Sequence, residues 1–325
     1  MPMLIKPLAT LAAIPALSMM IATTAAADYP EREIRLIIPF GAGGSTDIVG
    51  RTAGQPLSDR LGQPFVYENR GGAGGTVGTR SASTANNNGY TLSVGSTSTH
   101  AVGYLVHDDV GYHPIDDFEP ISLIAETPYV LVVHPDSDFH SVQDVIDHAQ
   151  ENPGDMNFGS AGAGSTTHLS ALMFNDMADV DAVHIPYEGN AEATTAVLGR
   201  EIDYLFGSFP AVYSAIQNEQ LRALGVGTEN RASQLPDVPT VEEAGVDGYL
   251  ATLWLGIFAP AGTDDDIVAQ LHGEIADMIE NDEAVREALR DNGAEPVFSE
   301  SPDDFATLIE SEIERYREIV DNIDE

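Results

Sequence analysis

The sequence predicts an α/β fold in two lobes, with helices laid on largely parallel sheets and a cleft between the lobes. Three observations lead there. Short apolar runs alternate with amphipathic stretches along most of the 325-residue chain. Three strand candidates run into polar, glycine-rich loops, the place where α/β proteins hold ligands. Two stretches, AETPYVLVVHPDSDF (125–139) and GYLATLWLGIFAPAGT (248–263), read as segments that carry the chain into a second lobe and back.

The strands fall at 33–38, 64–68, 91–94, 119–124, 129–133, 156–159, 182–185, 202–206 and 221–226. The helices fall at 47–61, 75–85, 141–150, 165–177, 190–198, 209–217, 264–280, 282–291 and 302–320. Ile34, Leu36, Ile37 and Ile38 suit a buried strand, and Ile48, Val49, Ala53 and Leu57 after Asp47 form a stripe at helical spacing. Ser141 and Asp144 form a capping box with Asp in place of Glu. Thr263 before three aspartates, and Ser301-Pro302 before two, put a cap and negative charge at a positive helix end.

The first 27 residues read as an export signal. Lys6 supplies the charged start, Leu8 to Ile21 the apolar run, and Ala25-Ala26-Ala27 a cleavage site. A mature protein starting near Asp28 is therefore expected in the periplasm or outside the cell. Lobe 1 takes 28–127 with 251–325 returning to it, and lobe 2 takes 128–250. The absence of cysteine excludes disulfides, thiolate catalysis and cysteine-ligated metals.

Fifty-two carboxylates face fourteen cations, for a formal charge of −38, and Lys6 is the only lysine. Such a surface repels nucleic acid and anionic lipid. The acids are spread along almost every helix rather than gathered into one docking face. That pattern fits life in high salt, where screening shortens self-repulsion to a few ångström.

The three loops are PFGAGGSTD (39–47), GSTSTHAVG (95–103) and GSAGAGSTTHL (159–169). All are rich in backbone amides and small hydroxyls, and none holds a lysine or arginine. Glycines let successive amides converge on one oxygen, and a helix N-terminus adds partial positive charge, so the chemistry suits a carboxylate. Ser45, Thr46, Ser96, Ser165 and Thr166 offer further donors. Each loop taken alone also reads as an ordinary strand-to-helix turn with a cap.

Other chemistries find less support. GAGGST (41–46) falls short of the dinucleotide fingerprint, although Glu68 lies at about the right distance, and no lysine-bearing phosphate loop exists. His100 and His168 lie beside loop hydroxyls, which leaves a Ser–His pair conceivable, but there is no G-x-S-x-G. No H-x-x-x-H or H-E-x-x-H occurs, so no metal is expected. Asp47 suits a metal ligand, a general base or a helix cap; the cap reading stands first, and a role in ordering the glycine turn comes next.

The chain resembles the substrate-binding proteins of the tripartite tricarboxylate transporter family, the Bug-type periplasmic receptors. The resemblance rests on YPEREIRLIIPFGAGGSTDIVGR (29–51), LGQPFVYENRGGAGGTVGT (61–79), NGYTLSVGSTSTHAVG (88–103) and MNFGSAGAGSTTHL (156–169). It continues through HIPYEGNAEATTAVLGREIDYLFGS (184–208), LRALGVGTENRASQLPDVPTVEEAG (221–245) and WLGIFAPAGT (254–263).

The resemblance implies a type II Venus flytrap that closes on a small organic acid: a di- or tricarboxylate, or an aromatic carboxylate. It implies no catalysis and no cofactor. Phe40, Gly41, Ala42, Gly43, Gly44, Ser45 and Thr46 would form one arm on the inner carboxylate, with ordered water often between, and Asp47 would close that loop. Ser160, Ala161, Gly164, Ser165 and Thr166 would form the other arm, with His168 just behind. Ser96, Ser98, Tyr187 and Ser208 would line the cleft. Phe40 and Phe209 each suit either an apolar part of the ligand or the core. The partners implied are integral-membrane transporter subunits, with the receptor a monomer. Two other readings use the same residues: a ligand-sensing module for a sensor kinase, and an exported serine hydrolase built on a loop serine and His168.

Overall fold

The computed structural model describes residues 29–107 and 109–323. The expected export signal, residues 1–27, lies outside the described residues. The first half of the chain runs β1 (Ile34–Ile38), α1 (Ser45–Leu61), β2 (Phe65–Asn69), α2 (Thr76–Ser83) and β3 (Thr91–Ser96). A π-helical turn, Ser98–Val102, leads into α3 (Gly103–Val106). Next come β4 (Phe118–Val133), α4 (Val142–Glu151), β5 (Met156–Ser160), α5 (Thr166–Met177), β6 (Ala182–Pro186), α6 (Asn190–Leu198), β7 (Tyr204–Ser208), α7 (Phe209–Gln217) and β8 (Arg222–Val226). The chain returns along β9 (Thr252–Pro260), α8 (Asp265–Asn281), α9 (Glu283–Asp291), β10 (Glu295–Pro296) and α10 (Pro302–Ile323).

The strands form one curled, mixed sheet in the order β2-β1-β3-β9-β4-β7-β5-β6, with β8 and β10 also paired to β4. The parallel ladders are β1 with β2 and β3, and β5 with β6 and β7, each joined by a crossover helix. The antiparallel ladders all involve the long crossing strands β4 and β9. The sheet is therefore more mixed than alternation alone suggests.

β4 fuses the two strands expected at 119–124 and 129–133. Phe118–Pro128 pairs with β9, and Tyr129–Val133 pairs with β7 and β8. Pro128 sits where the strand changes partner, so its missing N–H does not interrupt a ladder. β9 is a second strand that pattern reading passed over as a connection. From Leu253 to Pro260 it is buried, hence apolar on both sides with no alternation to reveal it.

Local signals behave as their chemistry dictates. Val49, Ala53, Leu57 and Leu61 of α1 are buried, and Gly62 ends the helix in the left-handed region. In α4, Asp144 N–H donates to Ser141 Oγ at 3.1 Å, and Ser141 N–H donates to the Asp144 carboxylate at 2.9 Å, which completes the capping box. The cap of α8 is Asp264 rather than Thr263. Asp264 accepts from Asp266 N–H at 3.0 Å, while Thr263 Oγ donates to Pro260 O at 2.7 Å.

An aromatic cluster of His100, Phe118, Trp254, Phe258 and Phe305 fills the first half of the core. A separate apolar cluster, including Val130, Val132, Leu205, Phe209 and Val212, lies under α6 and α7. Among the described residues no helix is long and apolar enough to cross a membrane.

Candidate functional site

The first glycine loop leaves β1 at Ile38 and enters α1 at Ser45. It turns at Gly43, whose φ of +80° is open to glycine and strained for a residue with a side chain. Asp47 does not cap α1, which begins on Gly44; it lies inside the first turn and holds the glycine turn instead. One of its oxygens accepts from Gly43 N–H at 2.9 Å, and the other from Arg51 Nε at 2.7 Å and Asn69 Nδ2 at 3.0 Å. The same Asn69 amide reaches back to Phe40 O at 3.0 Å. Asp47 is buried, and both its oxygens are engaged within the loop.

α1 begins on Gly44, which has no side chain to cap it. The N–H groups of Gly44, Ser45, Thr46 and Asp47 make no hydrogen bonds among the described residues. Four donors at the positive end of a 17-residue helix are thus unpaired beside a cavity.

α6 begins in the same way, on Gly189, without a side-chain cap. The two bare helix starts meet: a Cβ placed on Gly43 would lie 3.6 Å from Ala191 Cβ, and one on Gly44 would lie 4.0 Å from Asn190 N. A polar relay joins them. Asn190 Nδ2 donates to Ser208 Oγ, which donates to Ser45 Oγ at 2.7 Å. Asn190 Oδ1 is buried and has no hydrogen-bond partner among the described residues.

The loop at 159–169, called the second glycine loop from here on, is built differently. Ala161 N–H donates to Thr167 Oγ at 2.8 Å, Gly162 N–H to Ser160 Oγ at 3.1 Å, and Gly164 N–H to His168 Nδ1 at 3.4 Å. Ser165 N–H donates to Gly162 O at 3.1 Å, and Thr166 N–H to Ser98 Oγ at 3.0 Å. Ser165 caps α5 by accepting from His168 N–H. Most amides of this loop are therefore engaged, and what it offers the cavity is hydroxyls. Ser98 and Thr166 hydroxyls meet at 2.6 Å across the gap.

The cavity between these elements is lined by Phe40, Gly44, Ser45, Thr46, Ser98, Tyr129, Ala161, Thr167, Asn190 and Leu253. No lining side chain is charged. Its free room is about 20 Å³, enough for roughly one water. The Phe40 ring closes one side. It rests on Gly75, where a Cβ would lie 2.7 Å from the ring. Burial pushes the Tyr129 phenol well above its ordinary pKa, so it stays neutral.

Of the expected site residues, Phe40, Gly44, Ser45, Thr46, Ser98 and Ala161 line this cavity. Ser208 touches it through Ser45, and Thr166 through Ser98. Gly41 and Ala42 line an adjoining pocket of about 290 Å³ with Glu188 and Glu192. Ser96 is buried beneath the turn, with its amide donating to Thr99 Oγ at 3.0 Å. Tyr187 reaches over the start of the second loop, its N–H donating to Ser160 O at 3.0 Å. Phe209 belongs to the core cluster under α7.

Sequence reasoning missed Tyr129, Thr167, Asn190 and Leu253. A larger cavity, of about 450 Å³, lies against the crossover at Pro128 and Thr252. Its wall includes exposed Glu229, Asn230 and Arg231 and no helix N-terminus, so it lacks the convergent donors of the smaller one.

Ser165 and His168 do not form the hydroxyl–imidazole pair that the hydrolase reading needs. Ser165 Oγ donates to Gly162 O at 2.6 Å and meets no imidazole. His168 stacks on His184 at 3.9 Å, and burial, then that neighbour, pushes it down to about 4. His184 in turn bonds Ser160 Oγ at 2.6 Å. His100 is sealed in the aromatic cluster, where burial pushes it down to about 3. Among the described residues no cluster of metal-ligating side chains occurs.

Residues 49–324 match the model of the tripartite tricarboxylate transporter family receptor, TctC. The chain is 35% identical over 302 residues to protein BugT of Bordetella pertussis, an alignment that covers 92% of each. Among solved structures it is similar to R. palustris Rpa4515 with adipate, at a TM-score of 0.88 and 33% identity over 91% of this chain and 98% of that one. It is also similar to MatC (Rpa3494) from Rhodopseudomonas palustris with bound malate, at 0.85 and 31% over 90% and 100%.

Proposed function

Since the chain belongs to the tripartite tricarboxylate transporter family of receptors, whose members bind solutes rather than transform them, we propose that its cleft captures a small organic carboxylate and delivers it to a membrane transporter. The observation that carries this reading is the unpaired first turn of α1, facing a cavity with no charged wall. A carboxylate oxygen would take the amides of Gly44, Ser45 and Thr46, each charge-assisted bond contributing about 1.5–3 kcal/mol. Hydroxyls of Ser98 and Thr167 would face it from the other wall. Asp47, Ser160, Gly164, Ser165 and His168 would hold the two loops in shape from behind. Adipate in one relative and malate in another support the ligand class.

A cavity of about 20 Å³ holds no such acid, so capture requires the walls to part. We place the hinge where β4 changes partner, at Pro128, with the return at Ala251. Lobe 1 is then 28–127 with 251–325, and lobe 2 is 128–250. Tyr129 N–H donates to Ala251 O at 3.2 Å, and Gly227 bridges the same two residues, which supports a narrow joint there. Binding would offset the cost of closure. The protein would act as an exported monomer beside integral-membrane subunits, in high salt that screens a charge of −38 from an anionic ligand.

The test is a thermal-shift screen of organic acids in molar salt. A ligand at a hundred times its dissociation constant adds about 2.7 kcal/mol. Gly43→Val should remove that response while the unliganded protein still folds, at a cost of about 1–2 kcal/mol for the positive φ. An acid that stabilises the variant as strongly as the parent would overturn the assignment of the first loop.

A further inference from the structure

The carboxylate reading leaves one buried atom of the cavity unexplained. Asn190 is 5% exposed and lines the cavity, yet its Oδ1 has no hydrogen-bond partner. Its amide nitrogen is committed to Ser208, and Ser208 in turn to Ser45. The relay therefore runs one way, Asn190 to Ser208 to Ser45. It leaves the Ser45 hydroxyl hydrogen free to donate and the Asn190 carbonyl free to accept. A buried acceptor left unmet is costly when the walls close.

Resting on the carboxylate reading above, we propose that Asn190 selects acids that carry a hydroxyl beside the carboxylate, a class of 2- or 3-hydroxy acids. The carboxylate would take the amides of α1 and the Ser45 hydroxyl, and the ligand hydroxyl would donate to Asn190 Oδ1. Proximity sets the position of that hydroxyl. Asn190 begins α6, and its backbone nitrogen lies 4.0 Å from where a Cβ on Gly44 would sit, so its side chain adjoins the carboxylate cradle. The acceptor is a neutral amide, and no carboxylate side chain lines the cavity. An ammonium would be buried there with no protein counter-charge, whereas a hydroxyl matches a neutral acceptor. An acid without a donor strands Asn190 Oδ1 on closure.

The test is calorimetric titration in molar salt with matched pairs: malate against succinate, lactate against propionate, and 3-hydroxybutyrate against butyrate. In the pairs that bind, the hydroxy acid should bind about ten- to a hundredfold tighter, the range expected for stranding one buried polar group. Asn190→Leu, close in size but without an acceptor, should bring the ratio within each pair to near one. Equal affinities in the unaltered protein overturn the proposal, and so does a preference that survives in Asn190→Leu. The ratio in the unaltered protein decides even if the variant fails to fold. If acids bind without a hydroxyl preference, only this inference falls. If no acid of these pairs or of the wider screen binds, the carboxylate reading falls with it.

Discussion

The two glycine loops look alike in sequence and are wired in opposite ways. GAGGST in the first and GAGST in the second each precede a helix, and each is rich in small hydroxyls. In the first, the N-cap is Gly44, and the amides from Gly44 to Asp47 have no partner among the described residues. In the second, the N-cap is Ser165, and the amides of Ala161, Gly162, Gly164, Ser165 and Thr166 all have partners inside the protein. A structural helix start satisfies its own donors; a binding one withholds the cap. The same contrast extends along the chain. Ser141, Asp264 and Asp282 cap their helices with side chains, whereas α1, α2 and α6 begin on glycine, and of these α1 and α6 meet at the cavity.

The sharpest way to break this contrast is at Asp47. Its carboxylate holds Gly43 N–H, Arg51 and Asn69 together. Asp47→Ala leaves those donors unmet and frees the turn that aims the amides. We expect a stability loss of about 3 kcal/mol in denaturant titration and loss of any acid-induced thermal shift. A full shift on a destabilised variant would mean that the first loop does not need its anchor.

The legible part of this architecture was local. The glycine turn, the stripe of α1, the capping box at Ser141 and the acid closing the first loop are all written within a few residues of one another. β9 hid because burial on both sides erased its alternation. The π-helical turn at Ser98–Val102 hid because a stretch of small polar residues reads as a loop. The missed lining residues were set by tertiary pairing. Tyr129 and Leu253 reach the cavity only because β4 and β9 cross beside it, and neither carries a local signal. Asn190 was the exception. The glycine before it is a helix start without a cap, a mark it shares with Gly44.

A second, smaller effect belongs to the other loop. The stacked His168 and His184 sit behind it, and burial, then His184, holds His168 at about 4 against an ordinary 6.5. The fold therefore favours the neutral ring, and the unfolded chain binds more protons between those values. Stability from this group is complete above pH 6.5 and is lost as pH falls towards 4. Allowing for its partial exposure, we expect about 2 kcal/mol from it. His168→Phe should flatten that part of the pH–stability curve, measured by denaturant titration at a series of pH values. An unchanged slope would show that the ring is not the acid-labile element of the loop.

The smallest effect is the most telling about wiring. Ser165 accepts from His168 N–H and donates to Gly162 O, so Ser165→Ala removes a helix cap and a loop tie together. The cap alone is worth about 1 kcal/mol, and that is the stability loss we expect. Acid affinity should change by no more than about twofold, because this loop meets the cavity with hydroxyls and an alanine rather than with bare amides. A large loss of affinity with a small loss of stability would mean that the second loop releases its amides to the ligand when the walls part. The two loops would then be alike once a ligand is bound.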